Sequence, residues 1–74
     1  MSDLSLRLGK TIKLKRTNLG LSQEALAAIA GINRTYLGEI ERGEVEVSVA
    51  TLDKIASGLH VELSEFFKLY EETE

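Results

Sequence analysis

Three times between residues 20 and 48 the chain places a glycine and, within a few positions, a side chain suited to start a helix. Gly20 precedes Ser22, Gly31 precedes Asn33, and Gly43 precedes Ser48. Glycine can take the left-handed conformation that ends a helix. A serine or asparagine oxygen can then accept from one of the orphan amides of the next one. Stop and start signals this close leave room only for short helices. Proline is absent and glycine occurs six times, which fits helices punctuated by glycine turns.

The apolar spacing agrees. Leu4, Leu8, Ile12 and Leu19 recur on one face of a first helix that should stop near Gly20, with Leu6 and Leu14 beside them. Leu26, Ala27 and Ala30 form the inward stripe of a second helix, and Leu37 and Ile40 that of a third. A fourth carries Val49, Leu52, Ile55, Ala56 and Leu59, with Gly58 close to its end. A short fifth carries Leu63, Phe66, Phe67 and Tyr70. Residues 45–49 alternate apolar and polar, but so short a strand has no partner, so an extended loop is expected. The fold class is all-α: one five-helix domain over residues 1–74.

The composition is globular, with 43% hydrophobic and 28% charged residues. A chain of 74 residues is too short for a second domain. It buries only roughly 60% of the surface its unfolded form exposes, so a second copy is the expected source of further burial. No cysteine is present and histidine occurs once, which removes disulfides, thiolate chemistry and a metal cluster. No nucleophile is paired with His60, so an enzyme finds no support. No cofactor or small-molecule ligand is evident. No apolar run approaches the length of a membrane span or leader, and a soluble, cytoplasmic domain is the expectation.

The net charge of −3 conceals a division. Residues 1–42 hold seven basic side chains against four acidic, a balance of +3. Residues 43–74 hold two against eight, a balance of −6. Such asymmetry raises the question of a polyanion partner for the basic half, and equally suits ordinary solubility.

Ser22 to Ala30, a turn at Gly31-Ile32-Asn33, and Arg34 to Arg42 have the size and punctuation of a helix-turn-helix at about residues 22–42. Ala27 and Ala30 are small enough for a close helix crossing, and Ile32 should tuck under the pair. The outward face of the third helix would show Arg34, Thr35, Gly38, Glu39 and Arg42. Arginine near the start of such a helix suits the O6/N7 edge of guanine, and a threonine methyl can meet that of thymine. Glu39 could accept from cytosine N4, disfavour wrong sequences, or simply be solvated. Gly38 would either let the backbone approach DNA or be a tolerated small residue. A helical hairpin with a solvated polar face shares all of this spacing.

From Leu8 to Phe67 the sequence resembles the phage-repressor/Cro (XRE) helix-turn-helix family. The resemblance lies in Ile12-Lys13, Arg16, Gly20-Leu21-Ser22-Gln23-Glu24, Leu26-Ala27, Ala30-Gly31-Ile32-Asn33-Arg34-Thr35-Tyr36-Leu37, Ile40-Glu41-Arg42-Gly43, Leu52, Ile55-Ala56, Leu59 and Val61. It implies a DNA-binding domain whose third helix enters the major groove, acting as a two-fold dimer on a palindromic operator. Within the family, residues 33–37 and 40–43 look most like restriction–modification controller proteins, and a length little above the bare domain fits them. That likeness carries DNA contact onto Arg34, Thr35 and Tyr36, and onto Gln23 at the start of the second helix. Arg34, Thr35 and Glu39 are the expected base contacts, with Gln23, Tyr36 and Arg42 orienting the protein on the backbone.

The resemblance also implies an ion pair between Arg16 and Glu41, locking the first helix against the end of the third. Two departures stand out. The loop after Gly43 reads Glu44-Val45-Glu46, where relatives offer basic or amide side chains to DNA, so it either points elsewhere or weakens backbone contact. Lys15 stands where many members place a core leucine, which makes Leu19 the expected core residue and Lys15 an exposed cation. Phe66, Phe67 and Tyr70 crowd a short helix. Phe66 should be buried, leaving Phe67, Leu69 and Tyr70 for a twin chain in a dimerisation region at about residues 59–70.

The expected function is a homodimeric, sequence-specific transcriptional regulator whose partners are double-stranded operator DNA and a second copy of itself. The acidic half leaves one alternative, an antitoxin that neutralises a basic toxin. A phage-type repressor is another.

Overall fold

The computed structural model describes residues 3–72, with side chains as far as Lys68, and consists of five helices joined by short turns. They are α1 (Asp3–Asn18), α2 (Gln23–Ala30), α3 (Arg34–Glu41), α4 (Val49–Gly58) and α5 (Leu63–Glu72). No strand occurs among the described residues. Residues 44–48 form an extended connection, with Val45 and Val47 turned onto the core and Glu44 and Glu46 exposed.

Three starts are capped by side chains. The Ser22 hydroxyl oxygen accepts from the Ala25 amide at 3.0 Å, and the Ser48 hydroxyl oxygen accepts from Thr51 at 3.1 Å. Asn33 Oδ1 accepts from Thr35 at 2.7 Å and from Tyr36 at 3.3 Å.

The first four helices end alike. In each, a left-handed residue follows the last turn, and the next amide reaches back five residues to a carbonyl. Leu21 donates to Arg16 at 3.1 Å, Ile32 to Ala27 at 2.9 Å, Glu44 to Glu39 at 3.0 Å and Val61 to Ala56 at 3.0 Å. The left-handed residues are Gly20, Gly31, Gly43 and His60. This motif normally carries an apolar side chain on the residue that reaches back. Leu21, Ile32 and Val61 supply it and pack against the core. At the end of α3 the corresponding residue is Glu44.

Helix α1 packs on α3 and α5, α2 on α3 and α4, and α4 on α5. The shared core is Leu8, Ile12, Leu26, Ala27, Ala30, Leu37, Ile40, Leu52, Ile55, Ala56, Leu59 and Phe66. Two glycines set the approach of these helices. A Cβ on Gly9 would fall on the Ile40 and Glu41 carbonyl oxygens, so the α1 backbone lies directly on the end of α3. A Cβ on Gly58 would meet Leu26 Cδ1 at 3.0 Å and Ile29 Cγ2 at 3.3 Å, where α4 rests on α2. Gly58 therefore serves contact between helices, and His60, at φ 59°, makes the turn.

Three expectations, for Leu19 and Val49 from periodicity and for Lys15 from the family resemblance, are corrected. Leu19 is not a core residue: its side chain is 49% exposed. It follows the last residue of α1, where the chain is already reversing, and Leu21 delivers the apolar side chain instead. Lys15 is partly buried, and its Nζ lies 3.6 Å from Glu65 Oε1, tying α1 to α5. Val49 is 56% exposed, because it lies at the edge of the α4 stripe while Val47 turns inward before the helix begins.

Candidate nucleic-acid interface

Helix α3 stands on the helix-turn-helix corner. Ala27 and Ala30 on α2 are buried in the core, and Ile32 in the turn packs against it. The Asn33 cap leaves Arg34 and Thr35 on the first turn of α3, and both are exposed. Tyr36 is partly buried and packs against the core. Glu39 is partly buried and Arg42 is exposed. Residues 34, 35, 38, 39 and 42 recur at helical spacing and share one face.

A buried ion pair holds that face in place. Arg16 Nε donates to Glu41 Oε2 at 2.7 Å, and a terminal guanidinium nitrogen of Arg16 donates to Glu41 Oε1 at 3.0 Å. The other terminal nitrogen donates to the Leu21 carbonyl at 2.7 Å. Gln23 Nε2 completes the set, donating to Glu41 Oε1 at 2.9 Å. The two ionic side chains are only 9% and 2% exposed. No buried side-chain nitrogen or oxygen among the described residues lacks a partner. The first helix, the start of the second and the end of the third are thus joined at a single carboxylate. Such a pair adds little net stability over apolar packing, but it is directional, and removing one partner strands the other. Gln23 spends one amide N–H on Glu41 and has a second for an external acceptor.

Gly38 is buried, and its cover is the protein's own. A Cβ there would stand 3.1 Å from a terminal nitrogen of Arg42 and 3.7 Å from Gln23 Oε1. Arg42 folds back along α3 and meets Glu44 with two bonds, Nε to Oε2 at 2.8 Å and a terminal nitrogen to Oε1 at 3.2 Å. Hydrogen bonding to Arg42 lowers the Glu44 carboxyl below its ordinary value, and the same contact raises Arg42. Both are charged at neutral pH, and both side chains remain about half exposed. The acidic loop after Gly43 does not point away from α3. Its first carboxylate neutralises the last cation of the candidate interface.

On α5, Phe66 is fully buried and Phe67 is 39% exposed. The side chains of Leu69 and Tyr70 lie outside the described residues. Sequence reasoning missed Gly9 and the pairing of Arg42 with Glu44. The former had a usable signal, a glycine inside an otherwise regular helix, where it costs about 1 kcal/mol and so needs a reason.

The fold and this corner define a class of protein. The helix-turn-helix family profile matches residues 12–66, and the chain belongs to that family. It is 43% identical over 68 residues to control protein C.MunI of a Mycoplasma species, covering 90% of this chain and 92% of that one. Among solved structures it is similar to the restriction–modification controller protein C.AhdI from Aeromonas hydrophila. The TM-score is 0.82 at 40% identity, over 85% of this chain and 96% of the other. It is likewise similar to the controller C.Esp1396I, crystallised as a tetramer with its natural 35 base-pair operator, with TM-score 0.85 at 34% identity over 97% and 96% of the two chains. The chain is thus close to restriction–modification controller proteins and to helix-turn-helix transcriptional regulators. No helix among the described residues is long and apolar enough to cross a membrane.

Proposed function

We propose that this protein is a cytoplasmic, sequence-specific regulator of transcription of the restriction–modification controller type, binding a palindromic operator as a homodimer. The observation that carries the reading is the α3 face. Arg34 and Thr35 are exposed on its first turn, while Arg16, Gln23 and Glu41 fix its far end against α1 and α2. Arg34 and Thr35 read base edges, with Glu39 beside them. Gln23, Tyr36 and Arg42 set the register on the phosphate backbone. Two copies joined through the region of Phe67, Leu69 and Tyr70 present their α3 helices to major grooves about 34 Å apart. The likeness to C.Esp1396I, which is crystallised as a tetramer with operator DNA, supports the DNA partner and binding by more than one copy. Selection of bound duplexes from a random pool, followed by footprinting, tests the reading. It predicts enrichment of an inverted repeat with half-sites about one helical turn apart. Failure to enrich any sequence contradicts it.

A further inference from the structure

Helix α3 ends on a charge arrangement that works against simple phosphate attraction. Arg42 caps the C-terminal end of the helix, and Glu44 occupies its Nε and one terminal nitrogen at 2.8 and 3.2 Å. This two-pronged geometry is the one a phosphate group would use. The remaining terminal nitrogen lies over Gly38. Glu39 adds a further negative charge close enough to act on the guanidinium. Glu44 also holds the position where the three other helix ends place an apolar side chain on the core. Its carboxylate instead stands in solvent beside the interface.

We propose that Glu44 is a specificity-determining residue: its carboxylate occupies Arg42 in the free protein, so that Arg42 adds little to binding on arbitrary DNA. This rests on the DNA-binding reading above. A phosphate must displace the carboxylate before it gains the guanidinium, and until then the Arg42–Glu44 pair carries no net charge to attract it. On random duplex the exchange brings little attraction. On the operator, base contacts by Arg34 and Thr35 seat α3 and hold a phosphate against Arg42 long enough to complete it. Non-specific affinity is thereby reduced more than specific affinity.

The test compares wild type with Glu44→Gln, Glu46→Gln, Arg42→Gln and the Arg42→Gln/Glu44→Gln double variant. Each is titrated on the duplex that wild type selects and on a scrambled duplex, across a salt series. Circular dichroism melting of each variant confirms that it is folded. Freeing Arg42 for one phosphate steepens the salt dependence by about 0.9 per protomer, or about eightfold tighter binding per protomer at 0.1 M salt. For Glu44→Gln we expect that gain on scrambled DNA, a smaller gain on the selected duplex, and so a reduced ratio between them. Glu46→Gln removes the same charge from the same loop, and Glu46 is exposed. It should give a clearly smaller gain, and once Arg42 is replaced Glu44→Gln should add no more than Glu46→Gln does. Equal effects of the two glutamine variants overturn the proposal in favour of a general loop charge. So does a Glu44→Gln gain that survives at full size in the Arg42→Gln background, or an unchanged ratio while wild type still discriminates. If wild type itself does not discriminate, the DNA-binding reading fails and takes this inference with it.

Discussion

Arg16 on α1 and Glu41 at the end of α3 meet through two hydrogen bonds of 2.7 and 3.0 Å, both side chains being almost fully buried. The pair is the point at which the scaffold takes hold of α3. Gln23 and the Leu21 carbonyl complete its bonding, so the beginning of α2 is held at the same place.

Glu41→Gln leaves Arg16 charged, buried and only partly partnered. Breaking a buried pair costs about 3–5 kcal/mol, and a domain of this size loses about 4–8 °C in Tm for each kcal/mol. A fall of more than about 10 °C in thermal melting is expected. An unchanged Tm would mean that the pair does not hold the helices together.

Gly9→Ala should destabilise the protein although alanine is the better helix former. The added methyl falls on the Ile40 and Glu41 carbonyls, and α1 must lift away from α3. Overpacking of this kind costs about 1–3 kcal/mol, against a propensity gain of about 1 kcal/mol. Gly20→Ala is the contrast, since a Cβ there meets nothing within 4 Å and the loss comes from φ +74° alone, about 1–2 kcal/mol. Denaturant titrations of both variants check the two mechanisms. A more stable Gly9→Ala would refute the close crossing.

Gly38→Ala separates two roles. The nearest atom a methyl would meet belongs to the flexible end of Arg42, which can swing aside, so the fold should tolerate the change or gain up to about 1 kcal/mol. Retained stability with weakened binding to the selected duplex would show that the α3 backbone approaches DNA at this position. Retained binding would make Gly38 only the seat of Arg42.

Dimer formation makes the melting temperature depend on protein concentration. A tenfold dilution removes about 1.4 kcal/mol from a two-chain equilibrium. Tm should drop by several degrees, and Phe67→Ser should abolish the dependence. Concentration-independent melting of the wild type would indicate a monomer.

What was legible in the sequence is what acts over short range. Ser22, Asn33 and Ser48 cap amides two or three residues away, and the glycines act on their own backbone. These features define the helices and the helix-turn-helix corner without reference to the tertiary structure. The misreading of Leu19 came from extending a helical period past the point where the chain turns. Gly9 and Gly58 owe their roles to residues some thirty positions away, where α1 crosses α3 and α4 crosses α2. The Arg42–Glu44 pair is local, yet it depends on the backbone reversal at Gly43 that brings the carboxylate back alongside α3. The α3 face was legible as a set of outward positions. Its coupling to Glu41 through Gln23 needed the fold.

If α3 reads sequence through its exposed first turn, Arg34→Ala is the substitution that shows it most directly. Wild type and variant are compared on the selected duplex and on a scrambled one at equal salt. We expect the variant to lose about 1–3 kcal/mol on the selected duplex, with preference relaxed at one base position per half-site and little change on scrambled DNA. Equal loss on both duplexes would contradict the account, because Arg34 would then be a phosphate contact and sequence would be read elsewhere.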